Sequence, residues 1–177
     1  MALVIHPSVL GAFPGLRFFV AEIEAAAQAH TLDPQVVAAI VLQESSACTD
    51  AFRHEKDFWN RYLKRLPEWN TLNPRRTSSS YGLMQIMLPV AVERGFPKSQ
   101  DPEILFQPTL GLEYGCRHLR YLTDRMAVKY PQASEADRLQ AVLASYNGGF
   151  QGPDALRPNN KKYALSVLQL LHAITKV

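Results

Sequence analysis

One carboxyl group, that of Glu44, follows directly on a strongly apolar segment with the features of a helix. The helix begins at Asp33, a side-chain acceptor suited to an N-cap, and Pro34, whose φ suits the first helical position. Residues 36–42 are all apolar, and aliphatic residues lie three, four and seven positions before Glu44, on its face of the helix. Apolar neighbours and the negative helix end disfavour a charged carboxylate, so we expect a raised pKa. This segment alone still favours the simpler interpretation that Glu44 marks where the helix surfaces.

Two later motifs carry polar groups that could complete a site around Glu44-Ser45-Ser46. They are Gly-Leu-Met-Gln-Ile at 82–86 and Ala-Ser-Tyr-Asn-Gly-Gly at 144–149. Taken singly, the first is compatible with an apolar helix that carries one amide, and the second with an ordinary helix C-cap. The three together, in this order, are far more specific than any one of them.

The elements that must position these motifs are predicted to be helices, because no segment shows sustained period-2 alternation. Apolar spacing, helix-start residues and helix-stop residues predict helices over 15–29, 34–45, 55–66, 89–94, 108–130, 134–145 and 160–174, with a short helix in 81–87 and a single turn opening at 101–103. Residues 73–80 are predicted to be loop. The pattern indicates an all-α domain of six to nine helices.

Composition limits the classes of protein that remain. The chain has 177 residues, of which 47% are apolar and 20% charged, which is typical of one globular domain. No apolar run approaches the roughly 20 residues that span a membrane. A net charge of +3 with only short basic clusters does not indicate nucleic acid. Cys48 and Cys116 lack metal-site spacing, and either one disulfide or two buried thiols fits the sequence.

The three ordered motifs resemble those of the soluble lytic transglycosylase (SLT) domain, a lysozyme-like fold related to goose-type lysozyme. That family has Glu-Ser at the end of a buried helix, then Gly-Leu-Met-Gln, then Ala-Tyr-Asn-Ala-Gly. The resemblance runs from about residue 31 to 163 and is greatest to single-domain enzymes of phages and prophages. It implies one catalytic domain over 1–177, with an N-terminal helical extension at 1–30 and a subgroup insertion at 47–80.

The resemblance also implies a reaction, cleavage of the bond between N-acetylmuramic acid and N-acetylglucosamine with formation of a 1,6-anhydro end. Glu44 would act first as acid and then as base, and Tyr146 would place a hydroxyl near the reacting centre or Glu44. The implied substrate-binding residues are Ser45, Tyr81, Met84, Gln85, Asn147 and Tyr163. For Tyr163, a plain core position on its helix is an equally good interpretation.

Departures from the family pattern concern the second motif, the third motif and the second carboxylate. Glu44 and Gln85 are 41 positions apart, a longer gap than is typical, and Ser145 and Gly148 stand where the family usually has alanine. A hydrolytic glycosidase needs a second carboxylate. The best candidate is Glu55, although a surface position is the default interpretation in that polar stretch.

Two alternatives to the transglycosylase stay open. One is a lysozyme-type muramidase that recruits Glu55, and the other is a non-catalytic cell-wall-binding module. We expect no cofactor or metal, no nucleic acid partner and no membrane insertion. The expected partner is the peptidoglycan glycan strand, bound by a monomer. The apolar N-terminus lacks a basic region and is broken by prolines and glycines, so we expect synthesis in the cytoplasm without a classical signal peptide. Action on the wall would follow release, as for a phage endolysin or virion-associated lysin.

Overall fold

The computed structural model describes residues 5–149 and 158–176, with side chains in the second range from residue 160 onward. Helices α1 to α9 span Pro7–Ala12, Val20–Ala29, Pro34–Ser45, Lys56–Phe58, Pro74–Thr77, Leu88–Glu93, Pro108–Lys129, Glu135–Gly148 and Pro158–Thr175. Strands β1 to β3 span Phe52–His54, Ser79–Tyr81 and Ile86–Met87, and two 3-10 segments span Pro14–Phe18 and Pro102–Phe106. The described chain is dominated by helices, which confirms the predicted all-α class.

Helix α3 runs through the hydrophobic core of the domain. The Asp33 side chain caps its start by accepting a hydrogen bond from the Gln35 N–H at 2.8 Å, with Pro34 at the first helical position, as the sequence predicts. Residues 37–41 have no exposed surface, because α2 and α9 pack against this helix. The helix ends with Ser46 in the left-handed region at φ +52°. The last turn, which carries Glu44, therefore emerges from a fully apolar body.

The long helices frame α3. Helix α7 packs against α2 and α8, and α8 packs in turn against α9. Ser134 caps α8 by accepting a hydrogen bond from the Asp137 N–H at 3.1 Å, as predicted. The helix runs on to Gly148 instead of ending near Ser145. Tyr146 and Asn147 thus lie on its last turn, because the glycines that were expected to end the helix follow these two residues.

A small antiparallel sheet, in the order β1-β2-β3, is the main feature that sequence periodicity missed. The predicted helix over 81–87 is wrong: Tyr81 pairs with Ile86 and Ser80 with Met87 across a tight turn. Gly82 takes φ +68°, and a Cβ there would lie 2.5 Å from the Leu105 carbonyl oxygen. Strands of two and three residues are too short to show an alternating pattern.

Three further predicted elements differ in extent. The helix predicted over 55–66 is a short α4 that continues as a π-helical turn at Trp59–Leu63. The segment 73–80, predicted as loop, contains α5 and β2. The helix predicted over 15–29 is interrupted at Phe19, whose φ of −132° and ψ of 8° separate a 3-10 segment from α2. In each case the boundary of the element depends on tertiary packing or on a local cap, which hydrophobic periodicity does not specify.

Candidate active site

Glu44 is half-buried at the end of α3, where it accepts a hydrogen bond from a tyrosine of the last helix. The Tyr163 hydroxyl donates to Glu44 Oε1 at 2.5 Å. Burial raises the pKa of Glu44, and the hydrogen bond from Tyr163 lowers it by a smaller amount. Burial and then the Glu44 charge raise the pKa of Tyr163, so this hydroxyl stays protonated and can only donate to a carboxylate. The raised pKa expected for Glu44 is confirmed.

Tyr146 lies close to Glu44, but its hydroxyl is engaged elsewhere. It donates to the Met84 carbonyl oxygen at 2.9 Å. Burial raises its pKa well above 10, with a further contribution from the Glu44 charge. The contact joins α8 to the Gly-Leu-Met-Gln turn. The tyrosine that hydrogen-bonds Glu44 is therefore Tyr163, whereas Tyr146 holds two of the three motifs together.

Ser45 and Gln85 both bind backbone in this structure. The Ser45 hydroxyl lies 3.0 Å from the Val41 carbonyl oxygen in its own helix and 2.9 Å from that of Leu83. The Gln85 side-chain amide donates to the carbonyls of Ala51 at 2.8 Å and Gly82 at 3.0 Å. Gln85 has φ +49°, a costly conformation for a residue with a side chain. These contacts fix the turn beside the end of α3.

Tyr81 and Met84 are buried, with no exposed surface. The Tyr81 hydroxyl donates to the Arg76 carbonyl at 2.6 Å, and burial raises its pKa to about 12. Met84 packs on Gly115 of α7, where a Cβ would lie 2.3 Å from the Met84 sulfur. Neither side chain can lie against a sugar face in this structure. We therefore revise their expected role from lining the sugar subsites to supporting the site from beneath.

Asn147 is exposed on the last turn of α8, one position before Gly148. A Cβ on Gly148 would lie 1.9 Å from the Asn160 side-chain nitrogen, so the absence of a side chain there allows α8 and α9 to meet closely. The end of α8 is thereby held next to the helix that carries Tyr163. The contact of Asn147 with substrate stays a prediction.

Strand β1 forms a charged wall beside the acid. Its residues alternate in direction: Phe52 packs edge-on against Tyr81 with ring centroids 5.4 Å apart, whereas Arg53 projects to the other face. There Arg53 Nε donates to Glu55 Oε1 in an ion pair. Both charges act on Glu44, since Arg53 lowers its pKa and Glu55 raises it. The charge of Glu55 thus acts on the acid, but the contact that Glu55 makes is with Arg53.

Sequence reasoning missed two contributors to this region. Arg53 gave one signal, its i, i+2 spacing to Glu55, which directly follows a strand that periodicity could not identify. His118 of α7 lies next to Tyr146, with ring centroids 5.5 Å apart. Burial and then the Arg94 charge lower the pKa of His118 to about 4, so the ring is neutral at pH 7. It therefore packs against Tyr146 without adding charge to the site.

The remaining sequence candidates lie outside the chemistry. Cys48 is exposed and Cys116 buried, and both are free thiols. Residues 5–149 and 158–176 contain no group of three His, Cys, Asp or Glu side chains that could hold a metal ion. In the same two ranges no helix combines the length and the apolar character needed to cross a membrane.

The fold and the site define a class of protein. It is a helical domain in which a half-buried carboxyl lies at the end of a core helix, between the β2–β3 hairpin and a tyrosine of the last helix. The chain belongs to the transglycosylase SLT domain family, whose model matches residues 21–166. No curated protein matches the chain in sequence. The match confirms the predicted family and its lysozyme-like all-α fold. The family is of the lytic transglycosylase type and acts on the peptidoglycan of the cell wall.

Proposed function

We propose that this protein is a peptidoglycan lytic transglycosylase that cleaves the β-1,4 bond from N-acetylmuramic acid to N-acetylglucosamine and leaves a 1,6-anhydro-muramic end. The observation that carries the proposal is the setting of Glu44. Its carboxyl has a raised pKa and accepts a 2.5 Å hydrogen bond from Tyr163. A general acid must hold its proton near neutral pH, and this setting favours the protonated form.

In the proposed reaction one carboxyl acts twice. Glu44 donates its proton to the glycosidic oxygen, the bond from that oxygen to muramyl C1 breaks, and positive charge develops at C1. The resulting carboxylate then takes the proton of the muramyl C6 hydroxyl, and O6 bonds to C1. Glu44 is protonated again, and no water is consumed. The Tyr163 hydrogen bond stabilises the carboxylate between the two steps.

The other residues have supporting roles in this proposal. Tyr146 and Ser45 hold the Gly-Leu-Met-Gln turn against the end of α3 through the carbonyls of Met84 and Leu83. Gln85 holds the turn from inside. Asn147, exposed at the end of α8, has free surface with which to meet a sugar.

Product analysis tests the proposal. Purified sacculi are digested, and the released muropeptides are separated and weighed by mass spectrometry. We expect muramic ends that are lighter by one water molecule than reducing ends and resist borohydride reduction. Reducing muramic ends would contradict the transglycosylase proposal and favour a muramidase.

The muramidase is the second candidate because the charge of Glu55 acts on Glu44. In that reaction Glu55 would activate water or stabilise the positive charge at C1. The ion pair with Arg53 stands against this role, because it already engages the Glu55 carboxylate. A wall-binding module is the third candidate. It predicts that wild-type protein sediments with sacculi but releases no muropeptides.

We further propose that the protein acts on glycan strands as a monomer, without nucleic acid, and reaches the wall after release, as an endolysin or virion-associated lysin does. Light scattering during size exclusion checks the mass. Comparing lysis of intact cells with lysis of membrane-permeabilised cells checks the route, and we expect lysis only of the latter.

A further inference from the structure

Strand β1 presents Arg53 on the face opposite to the side chains that pack against strand β2. Phe52 and His54 lie on the packed face, where the His54 ring is 3.4 Å from the Ser79 hydroxyl. Arg53 is one position on, so it projects from the opposite face, and it pairs there with Glu55, which follows the strand. The Gln85 side chain donates to the carbonyl oxygen of Ala51, two positions before Arg53, at 2.8 Å, and the Ser45 hydroxyl lies 2.9 Å from the Leu83 carbonyl oxygen in the same turn. Strand β1 therefore starts next to the turn that contacts the end of α3, and the charge of Arg53 acts on both Glu44 and Tyr163.

The guanidinium of Arg53 has one edge in use and one edge open. Its Nε donates to Glu55 Oε1, which orients the planar group. Across residues 5–149 and 160–176, no acceptor bonds the Nη groups of Arg53, and the side chain is 64% exposed. An arginine held at Nε still offers its two Nη donors as a pair, with the spacing of a carboxylate. An oriented, solvent-facing pair of donors beside a reacting centre suits an anionic substituent of the substrate.

We propose that Arg53 binds a substrate carboxylate and makes the enzyme prefer glycan strands with anionic muramyl substituents over neutral ones. This inference rests on the proposed function. Muramic acid carries a lactyl group, whose carboxyl is either free or amide-linked to a peptide that has carboxylates of its own. Both sources share the same chemistry. A glycan with neutral substituents offers Arg53 nothing to pair with.

The test uses four substrates and compares rates between them. Peptide-bearing strands are one form, and strands stripped of peptide by an amidase, which keep a free lactyl carboxylate, are another. Each is also prepared with its carboxyls converted to neutral methylamides. For wild type we expect kcat/KM about fivefold higher on a carboxylate form than on its neutral counterpart, the size of a partly exposed charge-assisted contact. Preference only among peptide-bearing strands identifies the stem as the source, and preference among stripped strands identifies the lactyl group.

Arg53→Gln should abolish this preference, and Arg53→Lys should retain part of it through its point charge. The matched control is Arg75→Gln. Arg75 lies over the Phe52 ring, 5.4 Å from its centroid, on the face of β1 opposite to Arg53. The Arg75→Gln variant should therefore keep the preference. Removing Arg53 also changes the pKa of Glu44, but that change affects all four substrates and cancels in the ratio. An unchanged ratio in Arg53→Gln overturns the proposal.

Failure of the proposed function gives a different signature. Reducing ends in the same digests would contradict the transglycosylase proposal. The effect of Arg53→Gln on the ratio of kcat/KM between carboxylate and neutral substrates would still test the present inference. If wild type cleaves nothing, Glu44→Gln and Glu44→Gln/Arg53→Gln are sedimented with untreated and methylamidated sacculi. We expect Arg53→Gln to weaken binding about fivefold on untreated sacculi only. Equal binding by both variants, or no binding by either, overturns the inference.

Discussion

The two carboxylates that face the candidate site, Glu44 and Glu55, have opposite surroundings. Glu44 ends a core helix whose residues 37–41 have no exposed surface, and its contact is a neutral tyrosine hydroxyl. Glu55 follows an exposed strand and pairs with a guanidinium. Burial favours a carboxyl that keeps its proton, whereas the Glu55 carboxylate is held in an ion pair with a guanidinium.

This difference teaches that position in the fold, not residue type, assigns the roles. In the proposed function the end of α3, beside Tyr163 of α9, supplies the acid. Strand β1 is exposed and charged, and in the further proposal its Arg53 distinguishes substrates by their charge. The following predictions test this division, beginning with the largest expected effect.

Glu44→Gln should reduce muropeptide release about a thousandfold, within the usual range for loss of a general acid. Glu55→Gln should reduce it less than tenfold, because it removes only a partner of Arg53. Release is measured by chromatography of sacculus digests, with circular dichroism as a check on folding. Equal losses in the two variants would contradict the division and indicate a two-carboxylate mechanism.

Gly82→Ala should destabilise the protein by about 2 kcal/mol or more, because φ is +68° and the new Cβ would meet the Leu105 carbonyl oxygen at 2.5 Å. A chain of this size should lose roughly 4–8 °C in Tm. Gly11→Ala is the matched control, since a Cβ there has nothing within 4 Å. A thermal melt that shows equal Tm values for the two variants would mean that the turn after β2 tolerates a side chain.

Tyr163→Phe should lower kcat about tenfold at neutral pH, because a hydrogen bond to the Glu44 carboxylate is lost. That hydrogen bond lowers the pKa of Glu44, so its loss raises the pKa. The acid form then persists to higher pH, and the alkaline limb of kcat/KM moves upward. Tyr62→Phe, at a residue 54% exposed on the π-helical turn, serves as control. A limb that stays in place would show that Tyr163 does not set the pKa of Glu44.

Glu44→Gln should also stabilise the fold at pH 7, so that its Tm there exceeds that of the wild type. Burial raises the pKa of Glu44 above its ordinary 4.5. The folded state therefore binds the proton more tightly than the unfolded state, and stability is lost as pH rises through the folded pKa. Below pH 4.5 the carboxyl is protonated in both states, and the two proteins should melt together. An equal gain at both pH values would point to packing instead of charge.

The sequence predicted the helical floor of the site well. The Asp33-Pro34 start, the apolar body and the polar end of α3 all follow from local caps and a 3.6-residue period, which involve residues within one or two turns. The long helices α7 and α8 were predicted for the same reason. The β2–β3 hairpin was not predicted. Its strands are too short to show an alternating pattern of hydrophobic residues, and its turn depends on the close approach of Gly82 to Leu105.

Within the site, the three motifs and the family follow from the order of residues along the chain. Contacts across the fold do not. The Tyr163–Glu44 hydrogen bond joins residues 119 positions apart, and no local pattern specifies which of two tyrosines reaches the acid. The burial of Tyr81 and Met84 likewise depends on Arg76 and Gly115, which come from other elements.

By itself the sequence determined that an apolar helix ends in a carboxyl, because helix propensity, caps and spacing are local properties. Tertiary structure alone decided what that carboxyl meets. Helix α9 brings a neutral hydroxyl to Glu44. Strand β1 brings the Arg53–Glu55 pair, whose charges act on Glu44. Burial, hydrogen bonding and nearby charge together set the pKa, and all three depend on which distant segments pack there.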